Sequence, residues 1–134
     1  EAGFLTGAMT GFVSNFFFGQ GPWTPWQMFA FGVIGFLAGL IFRNGRARLA
    51  FVRPVLCIFG GLATFFIYGF IMDTSSVMSF LSGLTWQAAL AKYISGIPVN
   101  FTHAVSTIVF LHMISRPMLK KIERVKLKYG MLTP

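Results

Sequence analysis

Four long apolar runs divide this sequence: Phe4 to Phe18, Trp26 to Phe42, Pro54 to Met72, and Ile94 to Ser115, the last interrupted by Pro98. A 134-residue chain in water could not bury them all. Apolar residues make up 55% of the sequence and charged residues 10%, where a soluble domain carries about 25% charged residues. The surplus has to face lipid or other subunits. Backbone groups in lipid must be satisfied inside a helix or a closed barrel. The runs are continuously apolar and lack the alternation of a barrel, so they predict helices. The expected fold class is an all-α integral membrane protein with four transmembrane helices, forming a single membrane domain over residues 1–134. The first run is shorter than the about 20 residues a span needs.

The net charge is +8, and its placement decides what it means. Arg43, Arg46, Arg48 and Arg53 crowd one connection, while Arg116, Lys120, Lys121, Arg124, Lys126 and Lys128 crowd the tail; Lys92 stands apart. Basic clusters beside apolar runs follow the positive-inside pattern and require no nucleic acid. They put the Arg43–Arg53 connection and the C-terminus in the cytoplasm. The Gln20–Pro25 and Asp73–Gln87 loops then lie outside, and the first helix starts inside at Glu1. Residues 118–130 read as a basic cytoplasmic helical tail stopped by Gly130, suited either to anionic headgroups or to a cytoplasmic partner. The start has no initiator Met, basic n-region or cleavage signature, so it is no signal peptide. A longer protein that begins upstream is expected.

Glycines recur every four residues at Gly3, Gly7 and Gly11, and again at Gly35 and Gly39. That spacing makes smooth stripes on which another helix can approach closely, either within the chain or from a partner. Cys57 is alone; it can form no intramolecular disulfide and reads as small core filler.

The stretch Asn15 to Met28 is the most distinctive. Gly19, Gly21, Pro22 and Pro25 impose a rigid turn, flanked by Trp23 and Trp26 with Gln20 and Gln27 nearby. Tryptophan at a membrane interface is ordinary. Rigid turns, aromatic faces and neutral amides together make a wall for a flat organic ligand. In the fourth run Asn100, His103 and Thr107 share one helical face. Intramembrane polar groups usually face the bundle interior, as an interhelical network or as ligand contacts. His112 falls on the opposite face, so no metal pair forms with His103. Asp73, the only acid away from the two ends, is expected where the third helix exits, as a ligand contact or a loop cap. Thr85 to Tyr93 reads as a short amphipathic helix at the outer interface.

Catalytic machinery is missing. The sequence offers no carboxylate pair, no confident Ser-His-Asp set, no P-loop, no zinc spacing and no haem motif. Acid chains for proton relay are absent too, so an ion-coupled pump acting alone is disfavoured. An intramembrane enzyme using Asp73 and His103 would need both in one cavity. Their expected depths differ by roughly 13 Å at 1.5 Å per residue.

The string Gly19-Gln20-Gly21-Pro22-Trp23-Thr24-Pro25-Trp26-Gln27, preceded by Gly3 and Ser14 to Phe18 and followed by Gly35 to Leu40, resembles the substrate-binding S component of energy-coupling factor (ECF) transporters. Leu84 to Gln87, Asn100 to Ala104, Arg116-Pro117 and Glu123 to Gly130 extend the resemblance over nearly the whole chain. It implies a six-helix bundle with cytoplasmic termini, of which this chain would supply helices three to six. It also implies uptake of a vitamin or micronutrient captured outside a bacterial cell membrane. The partners implied are a transmembrane coupling subunit and two ATPase subunits. ATP is then used by those partners, and no cofactor is expected in this chain. The branch most resembled is associated with cobalamin; pantothenate, a pyridoxine-like compound and a thiamine precursor stay open as substrates. The substrate-binding residues expected on this reading are Asn15, Gln20, Trp23, Trp26, Gln27, Asp73, Asn100 and His103. Gly3, Gly7, Gly11, Gly35 and Gly39 are expected in helix packing. The competing class is a ligand-free structural subunit of a membrane complex, in which the external aromatics could be replaced without loss of uptake.

Overall fold

A computed structural model describes residues 1–42, 52–80 and 85–130. The elements are α1 (Ala2–Phe18), α2 (Thr24–Ile41), α3 (Val52–Leu62), a π-helical segment (Ala63–Tyr68), α4 (Gly69–Phe80) and α5 (Trp86–Lys128). No strand occurs among the described residues. α3, the π segment and α4 run on from one another as one rod, so the described residues make four rods. Three helices have the length and apolarity of a membrane span: Thr24–Ile41, Pro54–Ser79 and Trp86–Lys128. α1, at 17 residues, reaches only about 25 Å against a hydrocarbon core of about 30 Å.

Each rod packs antiparallel on the next. Among the described residues α1 touches only α2; α2 touches α1, the π segment and α4; α5 lies along α3, the π segment and α4. The fold is therefore an open succession of helices. The N-terminus of α1, the C-terminus of α2, the N-terminus of α3 and the basic end of α5 fall at one end. The Gly19–Trp23 turn, Phe80 and Thr85 fall at the other. Arg43, Arg46 and Arg48 lie outside the described residues.

The seam between α1 and α2 is made by glycine. A Cβ on Gly3 would strike the carbonyl of Gly35, one on Gly7 the carbonyl of Phe31, and one on Gly35 the carbonyl of Gly3. Gly11 faces the Phe31 ring and the backbone at Gln27 and Met28. Gly39 has open space around it, one turn beyond Gly35 and past the start of α1. Lipid tails are as apolar as leucine, so helices associate in a membrane through such close backbone approach. The buried apolar residues are correspondingly small: Ala8, Ala30, Cys57, Ala63, Val77 and Ala104. Leu5, Met9, Val13 and Phe16 to Phe18 on α1 point outward, as lipid-facing side chains do.

Two expected boundaries move. The third helix was expected to end at Met72 with Asp73 at its exit. It continues to Phe80 and carries Asp73 inside it, 8% exposed. The polar run there stays helical because its hydroxyls find acceptors on the helix itself. Thr74 Oγ1 donates to the Phe70 carbonyl at 2.7 Å and Ser76 Oγ to the Met72 carbonyl at 3.0 Å. The separate interfacial helix expected over Thr85 to Tyr93 is instead the first part of α5. Thr85 caps α5, its Oγ1 accepting from the Ala88 N–H at 3.4 Å. Pro98 does not interrupt the helix, as membrane helices tolerate proline within a span; one turn on, Thr102 Oγ1 donates to the Pro98 carbonyl at 2.9 Å.

The glycine seam makes a direct prediction. Gly7→Leu should cost about 1–3 kcal/mol through overpacking and lower the unfolding midpoint in detergent by several degrees. Gly39→Ala should leave that midpoint unchanged or raise it. Thermal unfolding followed by circular dichroism checks both.

Candidate functional site

The turn after α1 is held by side chains on both sides of it. Gly19 takes φ +99°, a conformation open to glycine and strained for other residues. Its N–H bonds the Asn15 carbonyl at 2.9 Å and closes α1. Thr24 opens α2, with Pro25 in the first turn, where its missing N–H costs nothing. Thr24 Oγ1 accepts from the Gly21 N–H at 3.2 Å and donates to Gln20 Oε1 at 3.0 Å. Asn15, 3% exposed, donates through Nδ2 to Gln27 Oε1 at 2.8 Å and to Thr24 Oγ1 at 3.3 Å. The Trp23 ring covers Gly21, where any Cβ would collide with it.

This network continues into the membrane-spanning part. Gln27 Nε2 donates to the Tyr68 hydroxyl at 3.1 Å. Tyr68 lies at the end of the π segment, its ring 5.3 Å from that of Phe31 and 5.8 Å, edge-on, from that of His103. Beside it Thr64 Oγ1 donates to Thr107 Oγ1 at 3.3 Å, and Thr107 in turn donates to the His103 carbonyl at 2.8 Å. Together these groups line a cleft of about 240 Å³ between α2, the π segment and α5, walled by Phe31, Thr64, Tyr68, His103, Ser106, Thr107 and Phe110. Among the described residues no charged side chain lines it. π turns inside helices recur at functional sites because they widen the helix and redirect its side chains. Here the π segment supplies both Thr64 and Tyr68.

One turn further toward the Gly19–Trp23 end, Asp73 Oδ2 accepts from Asn100 Nδ2 at 2.8 Å. Gly69 leaves the room that the Asn100 amide fills, and Gly96 the room beside the Asp73 carboxylate. Thr74 and Tyr93 share a hydrogen bond of 2.7 Å, and the Tyr93 ring stacks on Phe70 at 5.8 Å. This second cluster clamps α4 to α5.

The residues singled out in the sequence therefore fall into four places. Asn15, Gln20 and Gln27 share one network behind the cleft. His103 lines the cleft. Asp73 and Asn100 bind each other outside it. Trp23 and Trp26 sit at the turn, partly exposed. The sequence reading missed Phe31, Thr64, Tyr68, Ser106 and Phe110. Thr64 and Tyr68 did leave a signal, two hydroxyls four residues apart in an otherwise apolar run. Among the described residues no group of His, Cys, Asp or Glu could hold a metal ion.

Between its rods this helical membrane protein carries a cleft lined, among the described residues, by uncharged aromatic and hydroxyl side chains. The family follows from comparison with known proteins: the chain matches the model of the ECF-type riboflavin transporter S component over residues 1–120 and belongs to that family. It is thus the substrate-binding subunit of an ECF transporter, a transport family and not an enzyme family. The match is to the riboflavin type, so the expected cobalamin-associated branch is not supported. No curated protein and no solved structure matches the chain.

The Gln27–Tyr68 bond ties the turn network to the cleft. A double-mutant cycle with Gln27→Leu and Tyr68→Phe should give a coupling of about 0.6 kcal/mol and at most about 2 kcal/mol, the range for interhelical hydrogen bonds in membranes. Unfolding free energies of the four proteins check it.

Proposed function

We propose that this subunit captures a flat, neutral heteroaromatic vitamin of the riboflavin class in the cleft between α2, the π segment and α5. The carrying observation is the lining. Phe31, Tyr68 and Phe110 offer ring faces, and His103, Thr64, Ser106 and Thr107 offer donors and acceptors for the polar edge of a fused ring. Aromatic pairs contribute about 0.5–1.5 kcal/mol beyond area burial, and hydroxyls and imidazole suit ring carbonyl and N–H groups. The riboflavin-type family model points the same way. An uncharged cleft disfavours pantothenate, whose carboxylate would call for a cation.

The other residues take supporting roles in this reading. Asn15, Gln20 and Gln27 hold Tyr68 in place, Trp23 and Trp26 flank the mouth, and the Asp73–Asn100 pair fixes α5 one turn from His103. The Gly19–Trp23 end faces outside, and the basic end of α5 faces the cytoplasm, as the Lys and Arg placement favours. A transmembrane coupling subunit and two ATPase subunits complete the importer, and ATP is consumed there.

Riboflavin fluorescence supplies the test. The full-length protein, purified in detergent, should quench it saturably. Tyr68→Ala should weaken binding by up to about tenfold, the loss of one ring contact, and His103→Ala should weaken it as well. Cobalamin and pantothenate should not compete. A well-folded protein that leaves flavin fluorescence unchanged would overturn the assignment and favour a ligand-free structural subunit.

A further inference from the structure

α5 is longer than a membrane is thick. Its 43 residues extend about 65 Å, while the apolar stretch from Ile94 to Ile114 already covers a hydrocarbon core of about 30 Å. The residues after it project about 20 Å further. Gly60 of α3 packs on Leu111, but from Arg116 onward every described side chain is exposed.

That projecting segment is two-faced. At about 100° per residue, Arg116, Lys120, Lys121, Arg124 and Lys128 fall within one arc. Met118, Leu119, Ile122, Val125 and Tyr129 fall on the other, all exposed. Leu127 is the exception on the basic side, and Lys126 is the exception on the apolar side, between Ile122 and Leu119. Pro117 stands at the head of the segment, where the missing N–H allows a helix to bend.

We propose that the segment from Pro117 to Tyr129 turns at Pro117 and lies along the bilayer surface, seating Met118, Ile122 and Val125 below the headgroups and setting its basic arc against acidic phospholipid. An interfacial helix has this composition: lysine and arginine on the polar face, bulky apolar residues on the other. The segment leaves the membrane already at the headgroup level, so the lipid surface is the nearest apolar cover for the exposed face. Acidic headgroups supply the countercharge, and attraction of about 1 kcal/mol per basic residue near an anionic surface corresponds to about fivefold in partition per charge.

The test uses the full-length protein in nanodiscs, with Cys57 and any further native cysteine replaced by alanine. Nitroxide labels go one at a time onto Ile122→Cys, Val125→Cys and Arg124→Cys. In discs with acidic phospholipid, labels at 122 and 125 should become oxygen-accessible and lose contact with a water-soluble relaxer, while 124 stays aqueous. In neutral discs, or with Lys120→Gln, Lys121→Gln, Arg124→Gln and Lys128→Gln combined, that protection at 122 and 125 should be lost. Aqueous labels at 122 and 125 in acidic discs overturn the proposal. Equal protection in acidic and neutral lipid overturns its electrostatic half. Protection that appears only on adding the coupling subunits assigns the face to a protein partner instead.

Discussion

Close backbone contact between helices is what the rest of this structure depends on. Inside a bilayer, apolar side chains gain nothing by leaving lipid for one another, and helices need surfaces smooth enough to touch. Gly3, Gly7 and Gly35 provide that surface for α1 and α2, where a single Cβ on any of them would meet a carbonyl. Gly60, Gly61, Gly69 and Gly96 admit side chains of the neighbouring rod in the same way. Once the backbones are this near, short polar side chains can reach across, and the Asn15, Gln27, Tyr68 and Asp73 hydrogen bonds become available.

The polar contacts are arranged by depth. The first set ties the Gly19–Trp23 turn to α2 and ends at Tyr68; the second ties α4 to α5 through Asp73 and Asn100. The cleft lies beside the first set and one turn from the second, so its walls are braced on two sides: Asn15, Gln20 and Gln27 reach it through Tyr68, and the Asp73–Asn100 pair holds α4 to α5 next to it.

How much of this the sequence disclosed varies with the kind of signal. The apolar runs announced the helices, because continuous hydrophobicity has few structural meanings in a chain so poor in charge. The glycine spacing announced close packing, but not that Gly39 would fall past the start of α1. Helix ends are less legible where polar residues continue the helix. Asp73 and the hydroxyls after it looked like loop residues, yet serine and threonine can return their hydroxyls to the helix backbone. Thr85 was a cap hidden in what read as the edge of a surface helix. The cleft was the least legible. His103 announced itself as a polar group in an apolar run, whereas Tyr68 and Thr64 depend on a local widening of the helix that periodicity cannot reveal.

That widening has a consequence for the rod as a whole. Thr64 and Asp73 are nine positions apart, and an unbroken α-helix would advance about 900° between them, leaving them on opposite sides. Both nevertheless reach α5, at Thr107 and at Asn100. A π turn acts as a one-residue insertion and so takes out about 100°, bringing the two back toward a common side. The segment Ala63–Tyr68 is thus a phase shifter. It lets one straight rod keep its threonine at the cleft and its carboxylate at the clamp, and a rod relaxed to plain α-helix would have to give up one of the two.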